Sequence, residues 1–218
     1  MKLLSINVGL PREVVSKGRS VNTGIFKEPI EGRVRLRTLN LDGDRQADLT
    51  VHGGTDKAVY AYPVEHYDYW RRELPGVNMP WGMFGENFTV EGLLENEINI
   101  GDQFRIGSAE LVVTQPRLPC YKLAVKFGRD DIIKRFLESR RTGFYFAVLK
   151  EGEVGAGDSI EMMSREIHNV TVAEITRLYI DRKGDHQALR RTLAVDALPE
   201  SRKAHFERQL EKLRLTAD

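Results

Sequence analysis

The sequence predicts a mainly β domain followed by a small helical one. Through roughly the first three quarters of the chain, short runs rich in β-branched and aromatic residues recur between Gly and Asp turns. Long helical repeats are few there. After His168 the apolar residues take helical spacing, with cap residues between the runs. The expected division is therefore 1–167 and 168–218. Many short strands of this kind point to a closed or nearly closed β-barrel, or to a sandwich; the pattern alone does not choose.

The elements follow in order. Leu3 to Val8 reads as a first strand. Arg12 to Lys27 is polar and shows no period, so it reads as a solvated loop or a basic flap over an anionic ligand. Arg33 to Arg37 alternates as a half-buried strand. Asp42-Gly43-Asp44 is a turn. His52-Gly53-Gly54 precedes the strand Ala58 to Tyr62, and its paired glycines permit positive φ and close approach of a ligand. A helix is expected from Pro63 to Leu74, with proline in its first turn. Phe84-Gly85-Glu86-Asn87 leads into a strand ending near Val90. Ile98 to Gly107 reads as two short strands about Gly101-Asp102. Glu110 to Thr114 is a strand that delivers the chain to Cys120. Two short helices follow, broken near Gly128, with Asp130 as N-cap of the second. Gly143 to Leu149 and Ser159 to Val172 complete the strands. Thr171-Val172-Ala173-Glu174 is a capping box that opens the first of three terminal helices. Asp185 caps the second and Pro199 starts the third, which carries Phe206, Leu210 and Leu213.

The charge balance argues against general nucleic-acid or membrane binding. The 218 residues include 33 Lys+Arg and 32 Asp+Glu, a formal net charge of +1, so any basic site must be local. No apolar run approaches the roughly 18 residues of a membrane helix. The start, Met1 to Gly9, is too soon broken for a signal peptide. One cysteine excludes an internal disulfide and fits a reducing compartment. A cytoplasmic protein is expected.

That cysteine lies in Gln115-Pro116-Arg117-Leu118-Pro119-Cys120-Tyr121-Lys122, between two basic residues and behind two prolines that stiffen the approach. It could be a nucleophile, a soft metal ligand, or a small buried hydrophobe. His52, His66, His168, His186 and His205 show no zinc spacing, and no P-loop or dinucleotide fingerprint appears. What remains is a thiolate, a His-Gly-Gly turn and local basic groups. These fit a phosphate-bearing cofactor whose metal accepts a soft ligand.

Taken together, Asp48-Leu49-Thr50-Val51-His52-Gly53-Gly54, Asp56-Lys57-Ala58-Val59-Tyr60, Phe84-Gly85-Glu86-Asn87, Ile100-Gly101-Asp102 and Gln115 to Cys120 resemble the MOSC-domain family, named for the C-terminal domain of molybdenum cofactor sulfurase. The C-terminal helices resemble those of its bacterial YiiM-like branch. The resemblance implies a MOSC-type β-barrel core with short helices, plus a small C-terminal three-helix domain. It implies binding of the molybdenum cofactor (Mo-molybdopterin), with Cys120 as protein ligand to the metal. It also implies reduction of N-hydroxylated compounds such as 6-hydroxylaminopurine, with electrons from a separate flavoprotein reductase. Within that frame Lys27, Lys57 and Arg117 are assigned to the phosphate, with Thr23 beside them as a further cofactor contact. Gly53 and Gly54 allow backbone approach, and Asn87 and Gln115 meet the pterin edge. His52 is the proton source. Two other roles stay open: sulfur delivery through a Cys120 persulfide, and cofactor storage or insertion without turnover. Homodimerisation is also left open.

Overall fold

The computed structural model describes residues 1–47, 53–181 and 185–215. His52 lies outside the described residues. So does most of the Asp48 to Gly54 motif.

Eight strands form the main sheet: β1 (Lys2–Val8), β4 (Glu28–Pro29), β6 (Val59–Pro63), β7 (Phe88–Glu91), β8 (Gln103–Ile106), β9 (Ala109–Pro116), β10 (Phe144–Lys150) and β12 (Ile160–Ser164). Their order is β12-β8-β9-β10-β6-β7-β1-β4. All neighbours are antiparallel except β6 and β7, which run parallel. The sheet curls until its two sides meet. Leu3 N donates to Asp158 O at 2.9 Å, Gly157 N to Leu3 O at 2.7 Å, and Ile160 N to Met1 O at 3.0 Å. With the isolated bridge between Lys2 and Ser159, these bonds join β1 to the start of β12. A short seam of bonds, not a full ladder, brings the sheet to near closure and shields strand edges that would otherwise be exposed. Two smaller pairs complete the β structure, β2 (Arg12–Ser16) with β3 (Arg19–Thr23) and β5 (Arg33–Leu36) with β11 (Gly152–Gly155).

The strand residues alternate as a two-faced wall requires. On β6, Val59 and Ala61 join the apolar cluster inside the sheet, whereas Tyr60 and Tyr62 join a second, aromatic cluster outside it. On β10, Phe144 and Phe146 point inward and Tyr145 outward. Helices α1 (Glu65–Glu73), α2 (Tyr121–Phe127) and α3 (Ile132–Ser139) cover that outer face. Their Trp70 and Phe136 stack around Tyr62 and Phe84, with Tyr62 and Phe84 ring centroids 4.3 Å apart.

Five local expectations are corrected. Residues 12–23 form a β-hairpin, not an irregular loop: Lys17 and Gly18, both at positive φ, make a two-residue turn of the kind that matches strand twist. Pro63 closes β6, paired with Val90 of β7, and the helix begins two residues later. Ile98 to Ile100 is not a ladder strand; Asn99 makes one bridge to Thr171. The last strand ends at Ser164. Asp130 does not cap α3; it pairs with Lys17, and Asp131 occupies the cap position.

Helices α4 (Val172–Asp181), α5 (His186–Leu193) and α6 (Glu200–Leu215) complete the described chain. Their caps are as expected: Glu174 N donates to Thr171 Oγ1 at 3.0 Å, and Ala188 N to Asp185 Oδ1 at 2.9 Å. Val172, Ile175, Leu189, Phe206 and Leu210 belong to the same apolar cluster as the inward residues of the sheet. α4 and α5, with 10 and 8 residues, are too short to be stable alone in water, so this burial holds them. Phe206 is fully buried. Phe206→Ala is expected to lower unfolding free energy by about 3–5 kcal/mol, measured by urea denaturation; a loss under about 1 kcal/mol, the size of an ordinary surface change, would contradict this packing.

Candidate cofactor site

A cavity of about 110 Å³ lies on the outer face of the sheet. A single water takes about 30 Å³, so the space suits a polyatomic ligand. Four pieces of chain build it. Tyr60 and Tyr145 supply the floor from β6 and β10. Thr23, Gly24, Ile25 and Lys27, following the hairpin, form one side. Arg117, Leu118, Cys120 and Lys122 form another, where β9 passes into α2. Arg45, Gln46, Ala47, Gly53 and Lys57 close the remainder, with Asn87 and Gly85 beneath.

The structure thus brings together Thr23, Lys27, Gly53, Lys57, Asn87, Arg117 and Cys120. Gly53 and Gly54 both have positive φ, 86° and 89°, a conformation that favours glycine. Gly54 is not part of the lining, nor is Gln115.

The hydrogen bonds sort these residues further. Asp44 is buried and accepts from Lys27 Nζ, from Gly9 N at 2.9 Å and from Asn87 Nδ2 at 2.9 Å. Asn87 Oδ1 also accepts from Tyr60 N at 3.2 Å. Asn87 therefore spends its amide on holding the walls together. Lys27 is drawn below the usual lysine range by burial, against the pull of Asp44. Gln115 Oε1 accepts from Arg202 Nε at 2.7 Å, a bond to α6.

Arg117 is different. It is buried, and its Nη1 has no hydrogen-bond partner. Its guanidinium carbon lies 5.3 Å from the centroid of Tyr60 and 5.1 Å from that of Phe136. Burial alone lowers its pKa, but Tyr60, Tyr145 and Cys120 more than reverse this, so it stays charged. A buried guanidinium nitrogen with no acceptor is costly, and a ligand anion would relieve it. Burial also raises Tyr145, against the nearby Arg117 charge, so its phenol keeps its proton at neutral pH. Lys57 is lowered by burial and then by the charge of Arg202.

Among the described residues no acidic side chain lines the cavity, whereas Lys27, Arg45, Lys57, Arg117 and Lys122 do. Cys120 sits at the N-cap position of α2 and is partly exposed. Among the described residues no group of three His, Cys, Asp or Glu side chains could hold a metal by itself. A cysteine sulfur at the edge of a cationic cavity suits an anionic ligand that brings the rest of a metal's ligands.

Tyr60, Tyr145, Arg45, Gln46 and Lys122 were missed as site residues. The Tyr60-Ala61-Tyr62 alternation was the available signal, since tyrosine on one face of a buried strand calls for a polar partner. Arg45 and Gln46 carried no pattern; their chain path alone places them.

Residues 48–161 match the MOSC domain, and residues 170–213 match the YiiM-like 3-alpha helix domain. The chain belongs to the MOSC-domain family. YflK of Bacillus subtilis (strain 168) is 41% identical over 211 residues, covering 97% of this chain and 95% of that protein. The crystal structure of YiiM from Geobacillus stearothermophilus superimposes with a TM-score of 0.80 at 33% identity, covering 96% of this chain and 98% of that one. A longer protein of Gibberella moniliformis (strain M3125 / FGSC 7600), named Reductase, is 32% identical over 164 residues, covering 74% of this chain and 29% of its own length. The MOSC family is associated with the molybdenum cofactor. Among the described residues no helix is long and apolar enough to cross a membrane.

Asp44→Asn leaves Lys27 buried without its counter-charge. Its expected cost is about 3–5 kcal/mol of unfolding free energy, read by chemical denaturation; a variant as stable as the parent would show that Lys27 is not held by this pair.

Proposed function

We propose that this chain is a molybdenum-cofactor-dependent reductase of N-hydroxylated compounds, with 6-hydroxylaminopurine as a representative substrate and a flavoprotein reductase as electron donor. One observation supports the cofactor assignment above the others. The buried, unpartnered Arg117 Nη1 and the partly exposed Cys120 belong to one cationic cavity. A ligand with an anionic end and a thiophilic metal answers both. The name of the fungal relative, Reductase, agrees with the reaction class.

When bound, the cofactor supplies the electron pair that converts an N-hydroxyl group into an amine and water. The chain's own residues do the rest. The Cys120 thiolate is the protein ligand to the metal. Arg117 and Lys57 hold the phosphate, and Lys27 adds its charge from behind, tethered by Asp44. Thr23 and the Gly53 backbone line the approach, and Gly54 shapes the turn beside them. Asn87 and Gln115 act by positioning: the first joins Asp44 to the Tyr60 backbone, the second fixes the end of β9. The reaction consumes protons. His52, adjacent in the chain to Gly53, and Tyr145, kept protonated by burial, are the groups to deliver them. We place the protein in the cytoplasm. The division at 167/168 separates the cofactor-binding part from three helices that serve it.

The test is Cys120→Ser, made in a host that synthesises the cofactor and assayed with a chemical reductant and 6-hydroxylaminopurine. Reduction is expected to fall by more than the roughly 10–100-fold that loss of an outer-shell partner of a metal costs, with molybdenum content falling in parallel. Full activity in the variant would sink the proposal. A persulfide on Cys120, with neither molybdenum nor pterin in the purified parent protein, would instead indicate sulfur delivery.

A further inference from the structure

One side chain links two of the C-terminal helices to the strand that leads into the cavity wall. Arg202, on α6, donates from Nε to Gln115 Oε1 at 2.7 Å and from Nη1 to Tyr179 Oη on α4 at 3.0 Å. Its guanidinium carbon lies 5.1 Å from the Tyr179 ring centroid. Gln115 is almost fully buried. It stands two residues before Arg117, opposite Tyr145 in the β9–β10 ladder. Its Nε2 reaches Asp56 O at 3.5 Å, and the neighbouring Thr114 Oγ1 donates to the same carbonyl at 2.7 Å. Asp56 in turn precedes Lys57. Arg202 is thus one bond from the strand end that presents Arg117 and two from the turn that presents Lys57.

We propose that Arg202 is a positioning residue through which the C-terminal helices hold the Gln115–Arg117 strand end and the Asp56–Lys57 turn in register, so that the cavity binds anions only with these helices in place. An arginine suits this role, because its planar fork serves two acceptors at once and lies flat on an aromatic ring. Its charge also reaches the cavity: after burial, Arg202 is the largest influence lowering Lys57, ahead of the opposing effect of Asp56, and it acts against the upward shift of Tyr145.

The anion-binding part of this proposal rests on the phosphate reading of the cavity, so two measurements on the full-length apo chain separate the claims. The first needs no ligand. Amide hydrogen exchange over residues 114–118 is expected to speed up about tenfold in Arg202→Met and to return to within about twofold of the parent in Arg202→Lys, which keeps a donor and the charge. Unchanged exchange in the Met variant overturns the positioning role, whatever the cavity binds. The second uses inorganic phosphate. Cys120 is the only cysteine, so its alkylation by iodoacetamide reports on the cavity, and phosphate is expected to slow it. The phosphate concentration for half protection should rise about fivefold in Arg202→Met and recover in Arg202→Lys. In Arg202→Met/Gln115→Leu it should rise no further than in the worse single variant, since both changes break one link. Additive losses, or parent-like protection in a folded Met variant, overturn the coupling. If phosphate does not protect Cys120 in the parent, the phosphate reading and the anion-binding half of this proposal fall together, and the exchange result alone decides the positioning half.

Discussion

The cavity depends on a carboxylate that cannot be left alone. Asp44 is fully enclosed, and an isolated charge there would cost several kcal/mol. Its three donors come from different parts of the chain: Gly9 after β1, Lys27 after the hairpin, and Asn87 before β7. Satisfying one buried anion therefore fixes three segments at once. The segment 23–27 is held over the floor of Tyr60 and Tyr145 by this means, and tight backbone contact completes it, since a side chain at Gly24 would collide with the Arg45 carbonyl. The opposite wall has no such anion. There Arg117 lies against the rings of Tyr60 and Phe136 and bonds Tyr145, with its Nη1 unanswered. One side of the site is satisfied by the protein and the other is left for a ligand.

Beneath both walls lies a sheet buried on its two faces. Alternation in β6 and β10 sends Val59, Ala61, Phe144 and Phe146 to the inner cluster and Tyr60, Tyr62 and Tyr145 to the outer one. A one-residue slip in either strand would exchange the two sets and destroy both the core and the cavity floor. The site gains a rigid base from this, which matters because binding groups must be held within fractions of an ångström to act together. The helices covering the outer face and those sharing the inner cluster thus support the same wall from opposite sides.

Much of this was legible in the residues. The caps at Thr171 and Asp185 and the strand leading to Cys120 follow local patterns that persist in the fold, and the family resemblance implied the grouping of Cys120 with Arg117, Lys57 and Asn87. The failures have physical reasons too. The hairpin at 12–23 escaped because its turn is Lys17-Gly18 and its faces are half-exposed, which blurs the alternation. Pro63 read as a helix start because its fixed φ suits a first turn, but pairing with β7 decided otherwise. Asp130 had the right type for a cap, yet a lysine from the hairpin, distant in sequence, claimed it. Gln115 was read as facing the ligand; its amide is turned to Arg202 and Asp56 instead.

By itself, the sequence determined the mixed architecture, the family and the residue types gathered around one cysteine, because these depend on local periodicity and on motifs short enough to be read directly. The tertiary structure alone decided that the cavity lies outside the curled sheet, that Asp44 and not a ligand takes Lys27 and Asn87, and that Arg117 Nη1 remains unanswered. Each of these is a contest between partners far apart in the chain for the same buried donor or acceptor. Such contests are settled by which groups meet in the dark of the interior, and spacing along the chain carries no record of that.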